Sequence, residues 1–208
     1  MPHRIPLSLK CTYTAFMAVL VPVYLHHYGP TNFLYVCDFA LILTLIGIWT
    51  ESALLLSMPL VGIGALQTLW IADYAVNLFG VSLTGMTDYM FEQNRPLYLR
   101  GLSLFHAWLP LLLVFLVFRT GYDRRAFAAW TATSWVLILV CYFFMPPPRR
   151  DPGLTPVNIN YVWGPSDFAA QTWVPPVVWV AGLMLLVPLL AYLPAHLLLA
   201  RLAPASPR

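Results

Sequence analysis

A chain of 208 residues that is 60% hydrophobic, 15% aromatic and only 9% charged carries more apolar surface than a soluble domain of that size can hide. Its mean hydropathy is +0.74. The net charge of +3 is small and dispersed, which excludes a nucleic-acid surface and a polybasic lipid switch.

A transmembrane helix needs about 20 mostly apolar residues. Six such stretches follow one another at roughly 10–28, 33–51, 53–79, 98–119, 126–146 and 173–201. The longest remainder, about 147–172, is too short for a soluble domain. Residues 1–208 are therefore expected to form a single membrane-embedded, all-α bundle of about six transmembrane helices. The first run follows Arg4 and Lys10 but ends in Tyr24-Leu-His-His-Tyr-Gly-Pro30, without the small residues of a cleavage site, so it reads as a retained helix.

Cytoplasmic loops carry the excess of Lys and Arg. With the N-terminus inside, Arg4, Lys10, Arg119, Arg124, Arg125, Arg201 and Arg208 fall inside, against Arg95, Arg100, Arg149 and Arg150 outside. Both termini are expected to be cytoplasmic. In that orientation the second stretch descends from the outer face and carries Asp38 ~8 Å deep, at 1.5 Å per residue. The third brings Asp73 to within about 9 Å of that face, and the fourth carries Arg100 near the rim and His106 ~12 Å in. Ionisable groups at such depths are costly and mark a candidate site.

This layer predicts an outward-facing pocket. His106 is its candidate base, oriented by Asp38 or Asp73, and Arg100, Asn32, Tyr35 and Asn160 are candidate ligand contacts. The same carboxylates, with Arg100, would serve equally well as ions locking helices together. Metal binding is not expected: His26 and His27 are adjacent and point about 100° apart on a helix, and no HExxH motif exists. No cofactor motif is present. Cys37, Tyr35, Thr31 and Ser103 lie near the layer, none in a nucleophile-elbow motif. Cys11, Cys37 and Cys141 read as small packing residues. Trp49, Trp70, Trp163, Trp173 and Tyr98 fit interfacial belts, and the Pro146-Pro-Pro-Arg-Arg-Asp-Pro-Gly153 segment reads as an extended loop.

The stretches Gly29-Pro-Thr-Asn-Phe-Leu-Tyr-Val-Cys-Asp38, Leu83-Thr-Gly-Met-Thr-Asp-Tyr-Met-Phe91, Leu97-Tyr-Leu-Arg-Gly-Leu-Ser-Leu-Phe-His-Ala-Trp-Leu-Pro110, Gly121-Tyr-Asp-Arg-Arg125 and Asn158-Ile-Asn-Tyr-Val-Trp-Gly-Pro165 carry a resemblance. Across nearly its whole length the chain resembles a bacterial family of uncharacterised six-helix membrane-associated proteins. That resemblance implies a bacterial inner membrane and no particular activity. A fainter resemblance is to the androgen-induced-gene type intramembrane hydrolases, where a histidine on a later helix works with a nucleophile on an early one. His106 with Pro110 matches the histidine, whereas Tyr35 stands where that family has threonine.

Three functional readings follow from the sequence. The chain binds a lipid-like ligand in its polar pocket or serves as an accessory subunit of a membrane complex. Alternatively it is a lipid hydrolase or acyltransferase with a His base. The third reading, a small transporter, fits the one-sided polarity least well. Membrane lipids and membrane-protein subunits are the expected partners, and nucleic acid is not.

Overall fold

The computed structural model describes residues 5–206 except 94 and 152. Arg4 and Arg208 of the charge count, Asn94, and Pro152 of the proline-rich segment lie outside the described residues. Eight α-helices account for the six apolar stretches: α1 Leu7–His27, α2 Val36–Thr50, α3 Ala53–Asn77, α4 Leu97–Ser103, α5 Phe105–Thr120, α6 Ala126–Phe144, α7 Pro176–Val187 and α8 Leu193–Leu202. Five of the stretches are long and apolar enough to cross a membrane, with α4–α5 and α7–α8 each counting as one. The bundle is that of an all-α membrane protein.

Three boundaries differ from the sequence pattern, each for a local reason. The second stretch opens with a 3₁₀ turn, Pro30–Leu34, after Gly29 at φ +81°, so α2 has only 15 residues. The sixth is divided by a π-helical turn, Pro188–Tyr192, beginning at a proline that lacks a backbone donor. The fourth breaks at Leu104, two residues before His106, with no proline at that point.

The helix ends sort onto two faces. On one, here the turn face, Glu51 at φ +51° ends α2, and the Ser52 hydroxyl accepts from the Leu55 N–H to start α3. Lys10 from α1 donates to Glu51 at 2.8 Å across this corner. Gly121 ends α5, and a side chain there would sit 2.6 Å from Ser206, whose N–H bonds the Tyr122 carbonyl. The other face, the loop face, carries the ends of α1, α3 and α6, the starts of α2 and α4, and both long connections.

Helix α3 is the hub, packing against α2, α5, α6 and α8. Over its apolar window 56% of it is buried, against 28% for α1 and for α6, which present Val19, Leu25, Val136 and Phe143 outward. Helices apolar on every side need lipid around them. Close approach is tightest at Gly62 of α3, where a Cβ would lie 1.7 Å from the Trp130 indole of α6.

Candidate functional site: a carboxylate-lined cavity under the loop face

The loop between α3 and α4 is held by two of the residues expected at the site. Asp73, fully buried, accepts from the Leu83 and Thr84 N–H groups on one oxygen and from the Thr87 N–H and hydroxyl on the other, at 2.7–3.0 Å. Arg100 donates to the Met90 carbonyl at 3.1 Å. Neither lines the cavity below. Asp73 and Arg100 are thus brought to the expected face but belong to a loop clamp, and among the described residues neither bonds to His106.

The segment after α6 is folded by asparagines. Asn158 donates to the carbonyls of Gly164 and Ser166 and accepts from the Trp163 N–H. Asn160 accepts from the Val36 N–H at 3.0 Å, giving a partner to the first exposed donor of α2, and donates to the Leu34 carbonyl at 2.8 Å. Asn158, Asn160 and Tyr161 all have positive φ. Asn tolerates that region; Tyr does so at a cost of roughly 1–2 kcal/mol, so the packing here holds Tyr161 against its own preference.

Beneath the two loops lies a cavity of about 730 Å³. Asp38, Asn32, Tyr35, Asn160 and His106 all line it, so five of the seven expected site residues meet there. Asp38 is the third residue of α2 and 4% exposed. Its Oδ2 accepts from the Asn32 amide at 3.2 Å and has the Cys37 thiol at 3.8 Å, while Oδ1 has no partner. A carboxylate near a helix N-terminus gains from the backbone dipole, but only partly offsets its own burial.

His106 is oriented by the backbone. Its Nδ1 lies 2.8 Å from the Ser103 carbonyl, which can only accept, so Nδ1 carries the proton and Nε2 offers a lone pair. The ring is stacked between Trp70 (4.9 Å) and Phe105 (4.0 Å). Among the described residues it forms no ion pair with Asp38 or Asp73. The orienting carboxylate expected from the sequence is replaced by a carbonyl one turn back on the same chain.

Several lining residues lie beyond the seven named as site candidates. Gln67 of α3 is 2% exposed, and neither its amide nitrogen nor its oxygen has a partner. Trp70, expected in an interfacial belt, is buried one turn along the same face. Tyr24 and Ser103 bond to each other at 3.1 Å, and Arg95 reaches the Tyr28 hydroxyl at 3.2 Å and Glu92 at 3.3 Å. Asp167 lines the roof; burial pushes its carboxyl above the usual range, with Asn158 pulling partly back. Gln67 and Trp70 stand three apart on an apolar helix, a spacing that could have flagged a shared polar face.

Among the described residues no three His, Cys, Asp or Glu side chains converge as a metal set. Cys11 is exposed, Cys37 half-buried and Cys141 buried, all free thiols. A helical membrane protein with a polar, loop-roofed cavity is what the fold defines. Compared with protein-family models, curated proteins and solved structures, the chain matches none.

Proposed function

We propose that this protein binds a small amphipathic molecule in the cavity beneath its loop face. The observation that carries this reading is the set of buried polar atoms without protein partners: Asp38 Oδ1 and both ends of the Gln67 amide, in a space of about 730 Å³. Each such group costs on the order of 1–3 kcal/mol when left unpaired, so a ligand that bonds them recovers that energy. Ligand sites typically have volumes of ~300–1,000 Å³, apolar walls and a few convergent polar groups. Ile63, Leu66 and Val187 supply such walls here. The resemblance to bacterial membrane-associated proteins implies an inner membrane, and the Lys and Arg distribution favours this face outward, where the ligand is exchanged with the outer leaflet or the space beyond it.

Gentle extraction followed by native mass spectrometry tests the reading. A small retained mass, lost in Leu66→Trp, which fills the cavity, is the expected result. A partner chain in place of a small molecule would favour the accessory-subunit reading instead. No retained mass, with no added amphiphile stabilising wild type more than Leu66→Trp, would sink the pocket.

One observation favours a hydrolytic alternative: the bare Nε2 of His106 in a cavity that also holds the Ser103 and Tyr24 hydroxyls. General-base chemistry needs a hydroxyl or water within about 3 Å of that nitrogen. Turnover of an ester-linked amphiphile that vanishes in a well-folded His106→Gln variant would establish it.

A further inference from the structure

Resting on the pocket reading above, the structure assigns the ligand's polar end a positive charge: we infer that the cavity receives a protonated or quaternary amine carried on an apolar body. The chain as a whole is net +3, with eleven Lys and Arg and eight Asp and Glu. Asp38, Asp88, Glu92, Asp151 and Asp167 all line this one cavity, and among the described Lys and Arg only Arg95 joins them. Five of the eight acidic residues thus surround a space that one of the nine described basic residues reaches. A net-positive protein has built a net-negative cavity.

Clustered acids alone would say little, since exposed carboxylates near the mouth are solvated. The deepest acid is different. Asp38 is 4% exposed, lines the cavity and has an Oδ1 with no partner. A carboxylate offers only acceptors, and the amide of Asn32 satisfies only its other oxygen. A cation meeting Oδ1 would itself favour the ionised carboxylate despite the burial, and in that form Asp38 has only acceptors to offer it. Gln67 can rotate its amide to present the oxygen, adding a second acceptor from the facing helix.

The walls point the same way. Tyr24, Tyr28, Tyr35, Tyr89 and Trp70 line the cavity, and cations are drawn to the faces of such rings. The mouth already displays this preference, for the Arg95 guanidinium lies 5.1 Å from the Tyr89 ring and 5.9 Å from the Tyr28 ring. A metal ion fits less well, because no three ligating side chains converge among the described residues. An anionic headgroup would face Asp38 and Asp167 with a single guanidinium in its favour, one already bonded to Glu92.

The test compares dodecylammonium with dodecanol, which share a chain and differ in the charged group, by thermal shift and titration calorimetry in neutral maltoside micelles. Wild type is expected to bind the amine roughly 10-fold or more tighter than the alcohol, in line with a desolvated ion pair plus ring contacts. Asp38→Asn should weaken the amine far more than the alcohol and so close most of the gap between the two probes. Equal binding of both probes by wild type, abolished for both by Leu66→Trp, would overturn the cation and keep the pocket. Binding of neither would overturn the pocket itself. Because the wild-type comparison needs no variant, it decides even where Asp38→Asn fails to fold.

Discussion

Lys10 and Asp38 are equally hidden, each 4% exposed, at opposite ends of the bundle. Lys10 has a carboxylate at 2.8 Å and the Trp49 ring at 5.7 Å. Asp38 has one amide, a distant thiol and an oxygen facing nothing. The same chain that pairs its charge at the turn face and packs Gly62 onto Trp130 leaves a buried carboxylate half-satisfied at the loop face. The contrast teaches that the loop-face cavity is a local property of that end, where hydrogen-bonding capacity is left unused by the fold.

Breaking the paired end should cost the most. Glu51→Gln leaves the Lys10 ammonium buried without its counter-charge, and losses of roughly 3–5 kcal/mol accompany the breaking of buried pairs. A large fall in melting temperature in micelles is expected, and Glu51→Gln with Lys10→Met together should recover most of it. A melt unchanged from wild type would mean that Lys10 finds water or lipid phosphate instead, and the contrast with Asp38 would lose its first half.

The next largest effect lies within the loop face itself. Asp73→Ala removes the acceptor of four hydrogen bonds and frees the loop that carries Tyr89 and Arg95. Several of the donors can turn to water, so a loss of about 2–3 kcal/mol is expected. Amphiphile binding should weaken with it, because the cavity roof is no longer held. Faster hydrogen exchange at 83–90, with the helices unaffected, is the distinguishing readout.

Asp38→Asn sharpens the comparison from the other side. It removes a buried charge that the fold leaves half-unpaired, so stability should stay within about 1 kcal/mol of wild type or rise. Stability would then be nearly blind to Asp38 while binding of a cationic amphiphile is not. A loss as large as that of Glu51→Gln would make Asp38 a helix lock and sink its role in the cavity.

The difference between these two aspartates marks where sequence reading ended. Hydrophobic runs and helix rise located the six stretches and put Asp38, Asp73 and His106 in one half of the bundle. Depth along a helix is set by counting, so it was legible. Which way each side chain faces depends on helix rotation, and on loops whose form is set by single side chains such as Asn158 and Asn160. Asp73 therefore looked like a site residue and is a clamp, whereas Trp70 looked like an interfacial anchor and is a cavity wall. Gln67 carries no charge to mark it in the sequence, although a buried neutral amide without a partner speaks nearly as plainly. The break at Leu104 has no signature in the sequence, yet it sits beside the Ser103 carbonyl that orients His106.

The smallest effect returns to the turn face, at Asp123 and Arg125. The guanidinium of Arg125 grips Asp123 through bonds of 2.7–3.2 Å and holds its carboxyl below the usual range. A carboxyl depressed on folding contributes stability that is complete above its unfolded value, near ~4, and is lost as pH falls through the lower folded value. The melting temperature should accordingly decline along the acid limb, and Arg125→Gln should make that decline shallower while leaving neutral-pH stability almost unchanged. The effect is small because the Arg125 side chain is 77% exposed, so solvent screens the pair. Exposure here does to a close ion pair what burial does in reverse at Lys10: the shortest contacts are alike, at 2.7 and 2.8 Å, and although Arg125 makes more bonds, its surroundings leave them worth less.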